Sequence, residues 1–127
     1  MIVLSLFLLG LEVPDAAPAI NAVKACDRDE IRTLIRGEPR RRTEFAAGVF
    51  AEQRAIASER GTLLSQPALT TPTGQASAAV ALAQLDSRQR QLDDARATER
   101  SWRDLFDEMR ADYLANCTTG KRNAEDR

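Results

Sequence analysis

Apolar residues recur at helical spacing along most of this chain, and this spacing is the main indication of its fold. From about Gln75 to Asn116 the sequence contains no proline and no glycine. Read in heptads, this stretch gives two apolar series, and each series has a charged exception, Glu99 in one and Arg88 in the other. The series are Ala78, Leu85, Leu92, Glu99, Phe106 and Tyr113, and, three residues on, Ala81, Arg88, Ala95, Trp102, Met109 and Asn116. The pattern predicts one long second helix.

A first helical arm precedes it. Asp27 followed by Glu30 resembles a capping box at a helix start. Gly37 and Pro39 interrupt the pattern, which then continues to about Ser65. Beyond the interruption, one narrow face carries Phe45, Val49, Ile56 and Leu63.

The interruption has two interpretations. Residues 39–65 alone are shorter than the second helix, so we interpret residues 37–39 as a kink within one arm. Alternatively, residues 27–36 fold across the second helix and contact it through Ile31, Leu34 and Ile35.

Residues 67–74, PALTTPTG, combine prolines, threonines and a glycine and predict a turn. Two long helices joined by a short turn predict an all-α fold, a long antiparallel, coiled-coil-like two-helix hairpin. Cys26 and Cys117 are equally far from a reversal centred in this turn, so we predict a disulfide at the base of the hairpin. The same register predicts that Val49 lies near Leu92, Ile56 near Leu85, and Leu63 opposite Val80.

This register also predicts charge pairs between the two helices. Exposed pairs of this kind contribute about 0–1 kcal/mol each. They are Arg36 with Asp107, Arg40 with Asp104, Arg32 with Asp112, Glu44 with Arg100, and Glu52 with Arg90.

The N-terminus has the pattern of an export signal. Residues 3–13, VLSLFLLGLEV, are too short an apolar run for a membrane-spanning helix but fit the core of a signal peptide. Ala17 and Ala19 suit cleavage after Ala19. We therefore expect a signal peptide at 1–19, a helical hairpin domain at 20–117 and a disordered polar tail at 118–127. The alternative for the apolar run is a first helix docked on the body.

The predicted location is the bacterial periplasm or the extracellular medium. Of 18 basic residues only Lys24 and Lys121 are lysines, a bias typical of GC-rich bacterial genomes. A disulfide suits an oxidising compartment. Residues 23–26, VKAC, leave open that Cys26 is lipidated instead of disulfide-bonded.

The residue content argues against catalysis. The chain has no histidine, its two cysteines are too far apart for a redox or zinc motif, and it has no glycine-rich phosphate loop. We expect no catalytic residue, cofactor, metal site or small-molecule substrate. The net charge of −1 gives no reason to expect nucleic acid as a partner.

Two charged clusters have alternative interpretations. The acidic strip, Asp104, Asp107, Glu108 and Asp112, shares a helical face and could hold a cation. We interpret it as a solvated face paired with arginines of the first arm. Residues 40–42, RRR, could bind nucleic acid or lipid headgroups, but opposing acids favour ion pairing within the chain.

One aromatic stripe is the candidate partner surface. Trp102, Phe106, Met109 and Tyr113 are spaced four, three and four apart. We interpret the stripe as core. Because an alanine-rich two-helix core is thin, we also expect apolar surface to stay exposed around Trp102, Phe106 and Leu114, favouring a dimer or another protein partner.

These features predict a small exported helical-hairpin protein, a non-catalytic binding or structural protein of the bacterial envelope. Residues 100–117, RSWRDLF…C, are similar to the late helix of exported bacterial lysozyme inhibitors. That resemblance implies an alternative function, periplasmic inhibition of an envelope enzyme. The family's other cysteine motifs are absent here, so no residue roles are carried over.

Overall fold

The computed structural model describes residues 11–118, and within that range the chain is helical and has no strand. Three α-helices are present, α1 (Ala16–Lys24), α2 (Arg28–Leu64) and α3 (Pro72–Asp112). A 3₁₀ turn at Pro67–Thr70 precedes α3, and a π-helical turn at Tyr113–Cys117 follows it. The all-α prediction is confirmed for this range. No helix here is both long enough and apolar enough to cross a bilayer.

The described chain forms two compact units. Unit 1 comprises residues 11–12 and 45–96, and unit 2 comprises residues 13–44 and 97–118. Each unit has its own apolar cluster. Most of the predicted signal peptide and most of the predicted tail lie outside the described residues.

In unit 2, α1 packs on α2 and α3. Asp15 caps α1 by accepting a hydrogen bond from the Ala17 backbone N–H. The buried members of the cluster are Ala19, Ala22, Val23, Ile31, Trp102, Phe106 and Met109. Cleavage after Ala19 would thus cut within α1 and remove buried apolar surface from this unit.

A tight elbow joins α1 to α2. The backbone N–H groups of Cys26 and Asp27 donate to the carbonyls of Val23 and Ala22, 3.1 and 2.9 Å away, which is the Schellman pattern. Cys26 has a φ of 50°, in the left-handed region where this motif favours glycine. Its disulfide to Cys117, with a Cα–Cα distance of 5.5 Å, confirms the predicted pairing.

Helix α2 starts where the sequence predicted and continues through the predicted interruption. The Asp27 carboxylate accepts a hydrogen bond from the Glu30 backbone N–H, as one half of a capping box. Pro39 lies inside α2, so residues 28–36 and 39–64 belong to one helix. Ile31, Leu34 and Ile35 still pack in the same cluster as Trp102, so both interpretations of residues 27–36 captured part of the arrangement.

The core of unit 1 is small and aliphatic. Ile56, Leu85 and Leu92 are buried, which agrees with the predicted proximity of Ile56 to Leu85. Val49 and Leu63 are partly buried against them, together with Leu11 and Leu82. Val80, predicted to lie opposite Leu63, is 61% exposed and is not among the side chains packed in this core.

The turn before α3 is more ordered than its composition suggested. Pro72, predicted as part of the turn, is the first residue of α3, a position that proline suits because its missing N–H would have no helical partner. The Thr71 hydroxyl accepts a hydrogen bond from the Gly74 backbone N–H and caps the helix. Gly74 packs so closely on the 3₁₀ turn that a Cβ there would lie 1.8 Å from the Ala68 carbonyl oxygen.

Candidate functional site

The aromatic stripe of α3 is largely buried inside unit 2. Trp102, Phe106 and Met109 retain 4, 7 and 8% of their surface, while Tyr113 is half-buried. Because α1 and α2 cover these side chains, the expected exposure around Trp102 and Phe106 is wrong. Leu114, at 51% exposed, matches the expectation. A partner could contact the buried part of this stripe only after α1 had moved away.

A buried carboxylate lies beside the indole ring. Glu38 retains 5% of its surface and accepts a hydrogen bond from Trp102 Nε1 at 2.9 Å. It also accepts hydrogen bonds from Arg41 and Arg42. The carboxylate is therefore fully engaged by donors, which offsets the free-energy cost of burying its charge.

Arg41 joins two buried carboxylates, since its guanidinium donates to Glu38 and to Glu99 at 2.7 Å each. Glu99, the charged exception in the heptad series, is 3% exposed and also accepts from Arg103 at 2.8 Å. The Arg41 guanidinium lies 5.7 Å from the centre of the Trp102 ring, within cation–π distance.

The electrostatics of this network favour fixed charges. Burial opposes ionisation of Glu38, but hydrogen bonds from Arg41, Arg42 and Trp102 outweigh it and lower the pKa of Glu38 to about 2. Burial likewise opposes ionisation of Glu99, yet its bonds with Arg41 and Arg103 lower its pKa. The bond to Glu38 raises the pKa of Arg41. Neither carboxylate is thus suited to exchange protons near neutral pH.

The arginine run 40–42 is paired within the chain, as expected. Arg40 pairs with Glu44 at 3.0 Å on its own helix, so its predicted pairing with Asp104 and that of Glu44 with Arg100 are wrong. Arg42 bonds to Glu38, and its guanidinium carbon lies 5.4 Å from the centre of the Phe106 ring. Because Arg40, Arg41 and Arg42 all have acidic partners within the chain, this segment gives little support to a nucleic-acid-binding surface.

The acidic strip is not brought together as a cation site. Asp107 lies 3.8 Å from Arg42, not beside the predicted Arg36, and Asp112 accepts a hydrogen bond from Asn116. Asp104 and Glu108 are exposed. Within residues 11–118, no group of three or more potential metal ligands has suitable geometry.

Unit 1 contains a second charged network. Arg88, the other charged exception in the heptad series, pairs with Glu52 at 2.9 Å and also with Glu59. The predicted partner of Glu52 was Arg90, two residues further along α3, so that prediction is wrong. The hydrogen bond to Glu52 raises the pKa of Arg88 despite its partial burial. Gln53 and Gln89 exchange side-chain hydrogen bonds beside this network.

A basic groove lies near the disulfide in unit 2. Its wall contains three exposed arginines of α2 at four-residue spacing, Arg28, Arg32 and Arg36. Ile31, Ile35 and Tyr113 give the groove an apolar floor. Among the described residues no carboxylate lies within ion-pair distance of these arginines, so the predicted pairing of Arg32 with Asp112 is wrong. We call this groove with its three arginines the arginine groove.

Sequence reasoning did not identify Glu38 or the arginine groove. A signal for Glu38 was present, because Ile31, Glu38, Phe45 and Glu52 are spaced by seven. The four-residue spacing of Arg28, Arg32 and Arg36 is visible in the sequence, but which side chains lie beside them depends on the fold.

Comparison with protein-family models, with curated proteins and with solved structures found no match for this chain.

Proposed function

We propose that this protein is a small exported helical hairpin of the bacterial envelope that acts by binding a protein partner, itself included, and not by catalysis. The observation that carries the proposal is the state of the buried ionisable groups. Glu38, Glu99 and Arg41 are held in their charged forms by one another, whereas a general acid or base needs a pKa near the working pH. Charged groups that are fixed by one another hold α2 and α3 together within unit 2, which suits a rigid scaffold that binds a partner through its outer surface.

The contacts within each unit support an antiparallel hairpin. In unit 2, residues further along α2 contact residues earlier in α3, as Glu38 contacts Trp102 and Arg41 contacts Glu99. In unit 1 the order is again reversed, since Glu52 pairs with Arg88 and Arg60 with Asp86. Reversed order is what two antiparallel helices require.

The disulfide supports export. Cys26 and Cys117 are bonded, and such bonds persist in the periplasm or outside the cell but are rare in the cytosol. Pairing of Cys26 also argues against its lipidation.

Localisation and thiol state test the export part of this proposal. The tagged chain would be expressed in a bacterium with an intact export pathway, fractionated, and treated with a thiol-blocking reagent before lysis. We expect envelope material with no free thiol and a mature N-terminus near Ile20, so that the exported chain keeps residues 20–24 of α1, including the buried Ala22 and Val23. A cytosolic chain with two free thiols would contradict export.

A binding experiment tests the partner part. The oxidised chain would be crosslinked in the envelope, and each captured protein purified and titrated against it by calorimetry. A stoichiometric complex with a second copy or with another protein supports the proposal. A complex with a wall-degrading enzyme that abolishes its activity would instead favour the inhibitor function. The absence of any stoichiometric complex would contradict both.

A further inference from the structure

We propose that the arginine groove is a self-association surface, in which Arg28, Arg32 and Arg36 of one copy engage the exposed acidic row of α3 of a second copy. This inference rests on the proposed function, in that it takes protein binding as the role of the hairpin. It adds the surface, the partner and the charges involved.

The first observation is the unmatched charge in the groove. The three arginines project from one flank of α2 over the apolar floor of Ile31 and Tyr113. Elsewhere in unit 2, Arg40, Arg41, Arg42 and Arg103 have carboxylate partners, whereas Arg100 and Arg110 have none within ion-pair distance among the described residues. The groove differs from those two positions because three guanidinium groups, with no carboxylate within ion-pair distance among residues 11–118, lie on one flank above an apolar floor, where they can pair with an acidic helix face.

The second observation is an equally unmatched acidic row on the same chain. Asp104 and Glu108 are exposed on α3, and within the described residues neither lies within ion-pair distance of an arginine or lysine. Ala111 continues this row at helical spacing and is exposed too. A row with a small residue at its end lets another helix approach closely.

The two rows match in spacing but cannot meet within one chain. Both repeat every four residues, about 6 Å along a helix. Asp104 is two positions from the buried Trp102, about 200° around the helix, so the acidic row faces away from the unit 2 core. The arginines flank Ile31 and Ile35, beside the end of α3. A second copy can bring the two rows together.

A second copy also fits better than other acidic partners. The apolar floor suits a helix face with Ala111 better than a bare anion or a phosphate chain. In a two-fold symmetric dimer each copy would supply one groove and one acidic row. The same contact between arginines and carboxylates would therefore form twice, once on each side of the symmetry axis. Because exposed ion pairs are individually weak and are screened by salt, we expect a weak dimer that is sensitive to ionic strength.

Sedimentation equilibrium of the full chain, with its disulfide intact, tests the proposal. We expect self-association at about 0.05 M salt that weakens at least tenfold at about 0.5 M salt. The basic-row variant, Arg32→Glu with Arg36→Glu, and the acidic-row variant, Asp104→Arg with Glu108→Arg, should each weaken it at least tenfold. An equimolar mixture of the two variants should restore association as a one-to-one heterodimer.

A matched control makes the outcome specific. Arg54→Glu with Arg90→Glu changes the charge by the same amount as the basic-row variant, on exposed residues of unit 1, and should leave association unchanged. Circular dichroism and thiol titration would verify that all variants are folded and oxidised.

Several results would overturn the inference. These are a chain monomeric at every concentration and salt, association that neither row variant weakens, or a mixture that fails to associate. A monomer whose groove instead binds a labelled oligoglutamate peptide, measured by fluorescence anisotropy, would also overturn it. None of these results alters the localisation or thiol state that test export, so the two proposals fail separately.

Discussion

Trp102 donates its indole N–H to a buried carboxylate, Glu38, which lies 64 positions earlier in the chain and 2.9 Å away. The bond ties the C-terminal third of α3 to α2 in unit 2. The carboxylate it uses also neutralises Arg41 and Arg42. One acidic side chain thus accepts hydrogen bonds from the indole and from two guanidinium groups beside an apolar cluster, so its loss should destabilise unit 2.

We expect Glu38→Gln to lower the free energy of unfolding by about 3 kcal/mol, because removing one partner of a buried ion pair leaves the others uncompensated. Glutamine keeps an acceptor for Trp102, so the loss would come mainly from Arg41 and Arg42. Urea unfolding followed by the fluorescence of Trp102, the sole tryptophan, measures it.

Glu44→Gln is the matched control, since Glu44 lies on the same helix and its side chain is 60% exposed in its pair with Arg40. It should cost less than about 1 kcal/mol. Equal losses in the two variants would show that burial of Glu38 does not determine its contribution.

The pH dependence of stability should reveal the same carboxylate. An unfolded glutamate titrates near about 4.3, and the pKa of Glu38 in the folded chain is lowered to about 2. A lowered pKa means that the charged form stabilises the fold fully above the unfolded pKa and that this contribution is lost as the pH falls through the folded pKa. The stability difference between the wild-type chain and Glu38→Gln should therefore shrink between about pH 4.3 and about pH 2. A difference that stays constant across this range would contradict the assignment.

Regular spacing explains what the sequence could predict. The long second helix, the first arm starting after Asp27, the turn and the disulfide all followed from local patterns and from the equal distances of Cys26 and Cys117 from the turn. Such inferences succeed because backbone geometry determines periodicity and because a fold-back relates distant positions by simple counting.

The missed features depend on which side chains the fold brings together. Gly37 and Pro39 suggest a kink in the first arm, but the seven-residue series to which Glu38 belongs continues through them. The predicted ion pairs were wrong by a few residues because a long arginine side chain can reach carboxylates several positions away, as Arg88 reaches both Glu52 and Glu59. Burial of Trp102 depends on packing by α1, and the first half of α1 overlaps the predicted signal peptide.

We expect opposite effects from alanine at two glycines of unit 1. At Gly74 a Cβ would meet the Ala68 carbonyl oxygen at 1.8 Å, so the 3₁₀ turn must shift, and Gly74→Ala should destabilise the chain by about 2 kcal/mol. At Gly61, inside α2, a Cβ has nothing within 4 Å, and Gly61→Ala should stabilise it by about 0.5–1 kcal/mol. Urea unfolding measures both. A stabilising Gly74→Ala would contradict the close approach of the turn to α3.

The stability of a variant that lacks the disulfide should depend on the residue that replaces each cysteine as well as on the lost bond. Cys26→Ser and Cys117→Ser remove the same bond, across 91 positions, so each should cost the same, up to about 4–5 kcal/mol. Cys26→Gly loses that bond too, but glycine adopts the positive φ of 50° without the penalty of a side chain. It should therefore be more stable than Cys26→Ser by about 1 kcal/mol.

Cys117→Gly is the control for this comparison, because Cys117 lies in a helical turn and has no positive φ. Glycine there should be less stable than serine, because glycine is the weaker helix former. Urea unfolding of the four single variants, with the reduced wild-type chain as reference, gives the order. Equal stability of Cys26→Gly and Cys26→Ser would mean that the elbow between α1 and α2 relaxes once the disulfide is gone, so that the left-handed conformation of Cys26 exists only while Cys117 holds it.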